Sequence, residues 1–117
     1  MNFITRNLKR LKYALTGITF ALKTDFSYRT QFYGGLIAIC VFYFFAAPLS
    51  QIELLFLVFA WVLILITELQ NTSFEAALDH LHPELHDKIG RSKDMAAGAV
   101  LTAGFFLLFV MVVIVLL

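Results

Sequence analysis

Apolar residues recur at Ile4, Leu8, Leu11, Leu15, Ile18 and Leu22, at spacings of four and three. An α-helix turns once in about 3.6 residues, so these positions form one stripe. Lys9, Lys12 and Lys23 lie about 100° round the helix from that stripe, and Arg6 and Arg10 about 200°. The segment 2–24 is therefore expected to be a basic amphipathic helix lying on an anionic membrane surface. Packing of the stripe on neighbouring helices is the other use of such a face.

Three longer apolar stretches follow. Phe32 to Leu49 carries no charge, Leu54 to Thr67 is apolar with a helical pattern continuing to Leu81, and Met95 to Leu117 is uncharged throughout. They predict membrane spans over 30–49, 52–81 and 94–117, against a hydrocarbon core about 30 Å thick. The first looks short, and tilt or an extension back to Tyr28 would make up the difference. A tight turn is expected over Ala46–Gln51 and a polar loop from His82 to Lys93.

Composition agrees. Of 117 residues, 61% are hydrophobic, and the mean hydropathy is +0.85. A soluble domain of this size could not bury that much apolar surface. The single cysteine, Cys40, excludes a disulfide framework, and no signal peptide is evident. Net charge is +1, but its distribution is informative. Of the nine Lys and Arg, six precede the first span and three lie in the second loop. The positive-inside rule then makes the N-terminus and second loop cytoplasmic and the C-terminus external. Gly34, Gly35, Ala96, Ala97, Gly98 and Gly104 are small residues that allow close helix approach. Trp61 sits mid-span and anchors no interface.

The second span does not end as a plain anchor would. Glu68, Asn71, Glu75 and Asp79 fall within about 80° of one another, a polar face about 16 Å long. Glu68 follows only about 21 Å of apolar helix, which places it near the inner boundary of the hydrocarbon, where a lipid hydroxyl also sits. An ionisable group at that depth is a functional hypothesis by default. Mutually repelling carboxylates need a cation, and Mg²⁺ prefers one or two carboxylates completed by phosphate oxygens. Asp25 can add an oxygen at the same level, and Lys93 a point charge for phosphates. Base, metal carboxylates, amide and lysine together suit phosphoryl transfer. There is no Walker A or Gly-rich kinase loop, so a transporter or channel weighs equally with an enzyme at this point, and polar glue between helices is a further use of these groups. His80, His82 and His86 lack a zinc spacing. Arg29 serves either the site or the headgroups.

The stretch Glu68-x-x-Asn71-Thr72-x-x-Glu75-x-x-x-Asp79 resembles the signature of the bacterial diacylglycerol kinase family, which includes undecaprenol kinases. Pro83-Glu84-Leu85-His86, Gly90-Arg91-Ser92-Lys93-Asp94-Met95 and Ala96 to Leu101 are similar to it too, as are Tyr13-x-x-x-Gly17 and Asp25-x-x-x-Arg29. The resemblance implies an all-α membrane protein, a surface helix plus three transmembrane helices forming one domain over 1–117, assembled as a homotrimer. It implies an ATP-dependent, Mg²⁺-requiring kinase acting on a membrane lipid alcohol. Glu68 would be the base, and Asp25 and Glu75 metal ligands. Arg6, Tyr13, Asn71, Asp79, Glu84, His86, Lys93 and Asp94 would bind the nucleotide. The expected partners are ATP, the lipid and further copies of the chain, with no nucleic acid. Asp25 departs from the family's usual Glu, which puts direct metal contact there in doubt. Ser73-Phe74 departs as well and looks like packing variation. Diacylglycerol is the expected substrate and undecaprenol the alternative. A small proton-coupled transporter is the alternative from another class.

Overall fold

The computed structural model describes residues 2–45, 48–84 and 86–117. Ala46 and Ala47 of the expected turn, and Leu85 of the Pro83–His86 stretch, lie outside the described residues. Four helices follow in order: α1 Phe3–Thr24, α2 Phe26–Phe45, α3 Gln51–Leu81 and α4 Asp87–Leu116. There is no strand among the described residues.

Each helix boundary has a local cause. Asn2 caps α1, its side chain accepting from Thr5 N at 2.8 Å. Asp25 interrupts α1 and α2 with an extended backbone, φ −101° and ψ 108°. Ser50 and Glu53 close a capping box on α3: Ser50 Oγ accepts from Glu53 N at 3.1 Å, and Glu53 Oε1 accepts from Ser50 N at 3.0 Å. Pro83 follows the end of α3, and His86 caps α4 through Nδ1, which accepts from Lys88 N at 3.1 Å. The expected loop from His82 to Lys93 is thus shorter, because α4 begins at Asp87. Lys88, Gly90, Arg91, Lys93 and Asp94 are helical residues on an early turn.

α3 is the central helix and packs on both α2 and α4. Leu57 and Ala60 are fully buried there and meet Val110 of α4. Trp61 does more than the sequence suggested. Its Nε1 donates to Gln31 O across the α2–α3 seam at 3.1 Å, and its indole covers Gly35, where an added Cβ would come within 2.0 Å. Only Gly35 among the expected glycines makes such an approach. Gly34, Gly98 and Gly104 face open space within the chain.

α3 and α4 are each long and apolar enough to cross a membrane. Phe105, Phe109 and Leu116 of α4 are 61, 63 and 73% exposed, a surface that water would not tolerate and lipid would. Helix α1 joins the bundle only at its C-terminal end, where Ala21 and Leu22 pack with Tyr28 and Leu65. Every residue from Phe3 to Phe20 is exposed, including Ile4, Leu8, Leu11, Leu15 and Ile18 of the apolar stripe.

Candidate active site

Glu68 is the one buried charged residue among those described, at 7% exposure. It stands on α3 just past the apolar run, close enough to Asp25 and Glu75 to sense both charges. Glu75 comes from the same face of α3, about two turns on. Asp25 arrives from the α1–α2 elbow. Its Oδ1 accepts from Ser27 N at 3.1 Å, which caps α2. Its Oδ2 accepts from Thr72 Oγ1 of α3 at 2.5 Å. Arg29 braces the elbow from the other side, donating through Nη1 to Leu22 O at 3.3 Å and Lys23 O at 3.1 Å. Those carbonyls end α1 and have no partner within their own helix. Arg29 is thus a helix cap here, a role the sequence did not suggest. Asn71 is half-buried beside these groups, and its Oδ1 is a buried acceptor with no hydrogen-bond partner. Asn71 also lines a groove of about 720 Å³ that opens between Thr67 and Phe74 of α3 and Met95, Ala96 and Ala99 of α4, with no carboxylate in its lining.

A second set lies further along α3. Lys93 of α4 donates through Nζ to Asp79 Oδ1 and is near enough to Glu75 to sense its charge. Lys93 therefore closes the outer end of the acidic face. Around the helix from it, His86, Asp87, Gly90, Arg91 and Asp94 line a hollow of about 430 Å³. Glu84 is exposed in the connection just before it. The chain thus sets Asp25 and Glu75 within electrostatic reach of Glu68, with Asn71 between Glu68 and Glu75 along α3, sets Asp79 and Lys93 at their edge, and places His86 and Asp94 in the adjoining hollow. Arg6 and Tyr13 are left on the exposed length of α1, without a side-chain hydrogen bond or ion pair among the described residues.

The donors fit a hard cation. Carboxylate oxygens and an unsatisfied amide oxygen are the ligands that Mg²⁺ takes. Among the described residues, no three His, Cys, Asp or Glu come close enough together to hold a metal ion by themselves. Mg²⁺ binds through one or two carboxylates completed by substrate phosphates rather than in an all-protein cage.

Two residues escaped the sequence reading as site residues. Thr72 follows Glu68 by four positions and so flanks the polar face, a signal that helical spacing alone would have supplied. Arg91 enters the hollow only because α4 starts early.

An all-helical membrane chain with a buried carboxylate at the end of its apolar run, oxygen donors around it and a lysine beyond has the chemistry of a membrane-embedded phosphotransferase. The family described as prokaryotic diacylglycerol kinase matches residues 12–115. The chain belongs to that family. It is similar to the diacylglycerol kinase of Haemophilus influenzae, 27% identical over 86% of this chain and 83% of that protein. It is likewise similar to the diacylglycerol kinase of Escherichia coli K12, 29% identical over 85% of this chain and 80% of that protein. The protein is accordingly a lipid kinase of the membrane, and as a kinase it uses ATP. The resemblance carried by the Glu68–Asp79 signature is borne out over most of the chain.

Proposed function

We propose that the protein transfers the γ-phosphoryl group of ATP to the free hydroxyl of diacylglycerol, giving phosphatidic acid and ADP. The observation that carries this reading is the buried Glu68 carboxylate, set where the apolar part of α3 ends and flanked by Asp25 and Glu75. A lipid hydroxyl reaches that level without leaving the membrane, and the phosphates reach it from the polar end of the same helix.

In this reading Glu68 accepts the proton as the lipid oxygen attacks the γ-phosphorus and the bond to the β-phosphate oxygen breaks. Lys93, released from Asp79, neutralises phosphate charge. Asn71 stands beside the phosphates, where its Nδ2 can donate to their oxygens, while its unpartnered Oδ1 is an acceptor only. Asp25 and Glu75 are the residues that would hold Mg²⁺, which when bound offsets charge on the phosphate oxygens. Glu84, His86, Asp79 and Asp94 line the way to the nucleotide, with Arg6 and Tyr13 supplied from α1.

The architecture in this proposal is one domain: a surface helix over 2–24 and spans over 30–49, 52–81 and 94–117. The exposed apolar stripe of α1 supports a location in the headgroup layer of the inner membrane. All nine Lys and Arg fall on one side of such spans, which supports a cytoplasmic N-terminus and second connection and an external C-terminus. A homotrimer would bring α1 of one copy over the site of the next. The exposed position of Arg6 and Tyr13 supports that arrangement.

The test is phosphate transfer from labelled ATP in detergent micelles, with Mg²⁺, against diacylglycerol, ceramide and undecaprenol. Phosphatidic acid as the main product is the expected result. Preferential phosphorylation of undecaprenol would replace the substrate, and no transfer to any lipid would end the reading.

A further inference from the structure

Threonines inside helices usually turn their hydroxyl back onto the carbonyl four residues earlier. Thr16, Thr19, Thr24, Thr67 and Thr102 all do so here, on Lys12, Leu15, Phe20, Leu63 and Gly98. Thr72 does not. Its Oγ1 leaves α3 and donates across the chain to Asp25 Oδ2, 47 positions away in sequence. The other Asp25 oxygen is committed to Ser27 N, as the cap of α2. The carboxylate is therefore held at two points, one on its own helix and one on the helix that carries Glu68 and Glu75.

This hold has a physical reason. Asp has one methylene fewer than Glu, so its carboxylate stays close to the backbone of the elbow and reaches less far towards α3. A donor on α3 draws it in. Without that donor, Asp25 keeps only its cap contact, and its charge is free to relax towards water, away from two carboxylates that repel it. Thr72 sits one position beyond Asn71 and one turn beyond Glu68, half-buried, so the bond is sheltered from competing water.

We propose that Thr72 is a positioning residue for the acidic site: its hydroxyl holds the Asp25 carboxylate beside Glu68 and Glu75, and bound Mg²⁺ is affected by Thr72 only through Asp25. This rests on the reading above in which Asp25 serves the metal. Contacts that orient a metal's carboxylates change metal affinity by about 10–100-fold when removed.

The test uses the full chain in detergent, with Mn²⁺ as the probe and a non-hydrolysable ATP analogue present, read by electron paramagnetic resonance. The Mg²⁺ dependence of phosphate transfer and the KM for ATP are measured alongside. Thr72→Val keeps the shape and removes the donor, and should raise the Mn²⁺ and Mg²⁺ midpoints by about tenfold, the low end of that range. Thr72→Ser restores the hydroxyl and should return the midpoint towards the wild-type value. Thr72→Ala gives a second route to the same answer if the valine misfolds. In an Asp25→Ala background, Thr72→Val should add nothing. A midpoint raised by Asp25→Ala but unmoved by Thr72→Val would overturn the role of Thr72 and leave the metal reading intact. A further shift from Thr72→Val on top of Asp25→Ala would show a general packing role and also overturn it. A midpoint unmoved by Asp25→Ala would sink the metal reading of Asp25 and this proposal with it.

Discussion

Replacing Gly35 by alanine tests whether the α2–α3 seam fixes the elbow that delivers Asp25. An alanine Cβ there would stand 2.0 Å from Trp61 Cδ1, 2.2 Å from Nε1 and 2.9 Å from Cγ. These atoms lie near the root of the indole, so a small rotation does not clear them. Trp61 also packs on Phe32, with ring centroids 5.6 Å apart. The indole must swing out, and its hydrogen bond to Gln31 O is lost with it. Overpacking costs about 1–3 kcal/mol, and the lost bond about 1 kcal/mol more. Gly35→Ala should therefore destabilise the fold by about 2–4 kcal/mol. Gly34→Ala is the matched control: its Cβ meets nothing within 4 Å, and alanine is the better helix former by about 1 kcal/mol. Equilibrium unfolding in mixed micelles, followed by circular dichroism, compares the two. Phosphate transfer should fall with Gly35→Ala even below its unfolding midpoint, because Asp25 and Thr72 are joined through the same seam. Equal stability of the two variants would refute the argument.

Other changes separate the roles of the site residues. Glu68→Gln should leave the fold and ATP affinity intact and lower turnover by about 10²–10⁴-fold, since the amide cannot take the proton; more than half of wild-type turnover in the transfer assay would contradict it. Lys93→Met should reduce transfer far more than Lys88→Met, because only Lys93 meets Asp79 and senses Glu75; equal rates would favour a diffuse charge effect. Arg29→Gln should lower stability by about 1–3 kcal/mol by freeing the last carbonyls of α1, seen as earlier unfolding in the same micelles. Glu68→Gln and Arg6→Ala, each inactive alone, should complement when refolded together, with about a quarter of the activity by random assortment in a cyclic oligomer; no recovery in verified mixed assemblies would put both residues in one chain's site.

Helical periodicity alone was enough to place the apolar stripe of α1, the long apolar helices α3 and α4 and the acidic face of α3, because these are local properties of a chain with 3.6 residues per turn. The α3 boundaries 51–81 were legible for that reason, within one residue of the expected 52–81. Glu68 could be singled out because an ionisable group at the end of an apolar run is costly wherever the chain folds. Contacts between segments were not legible. Nothing local marks Thr72 as the partner of Asp25, or Arg29 as the cap of the helix before it. Nothing local shows Gly35, rather than Gly98 or Gly104, as the place where an indole needs room. The early start of α4 was hidden too, because polar residues on its first two turns read as loop until the helix below them is seen to continue. Periodicity records which face a residue occupies, and only the packed helices decide what that face meets.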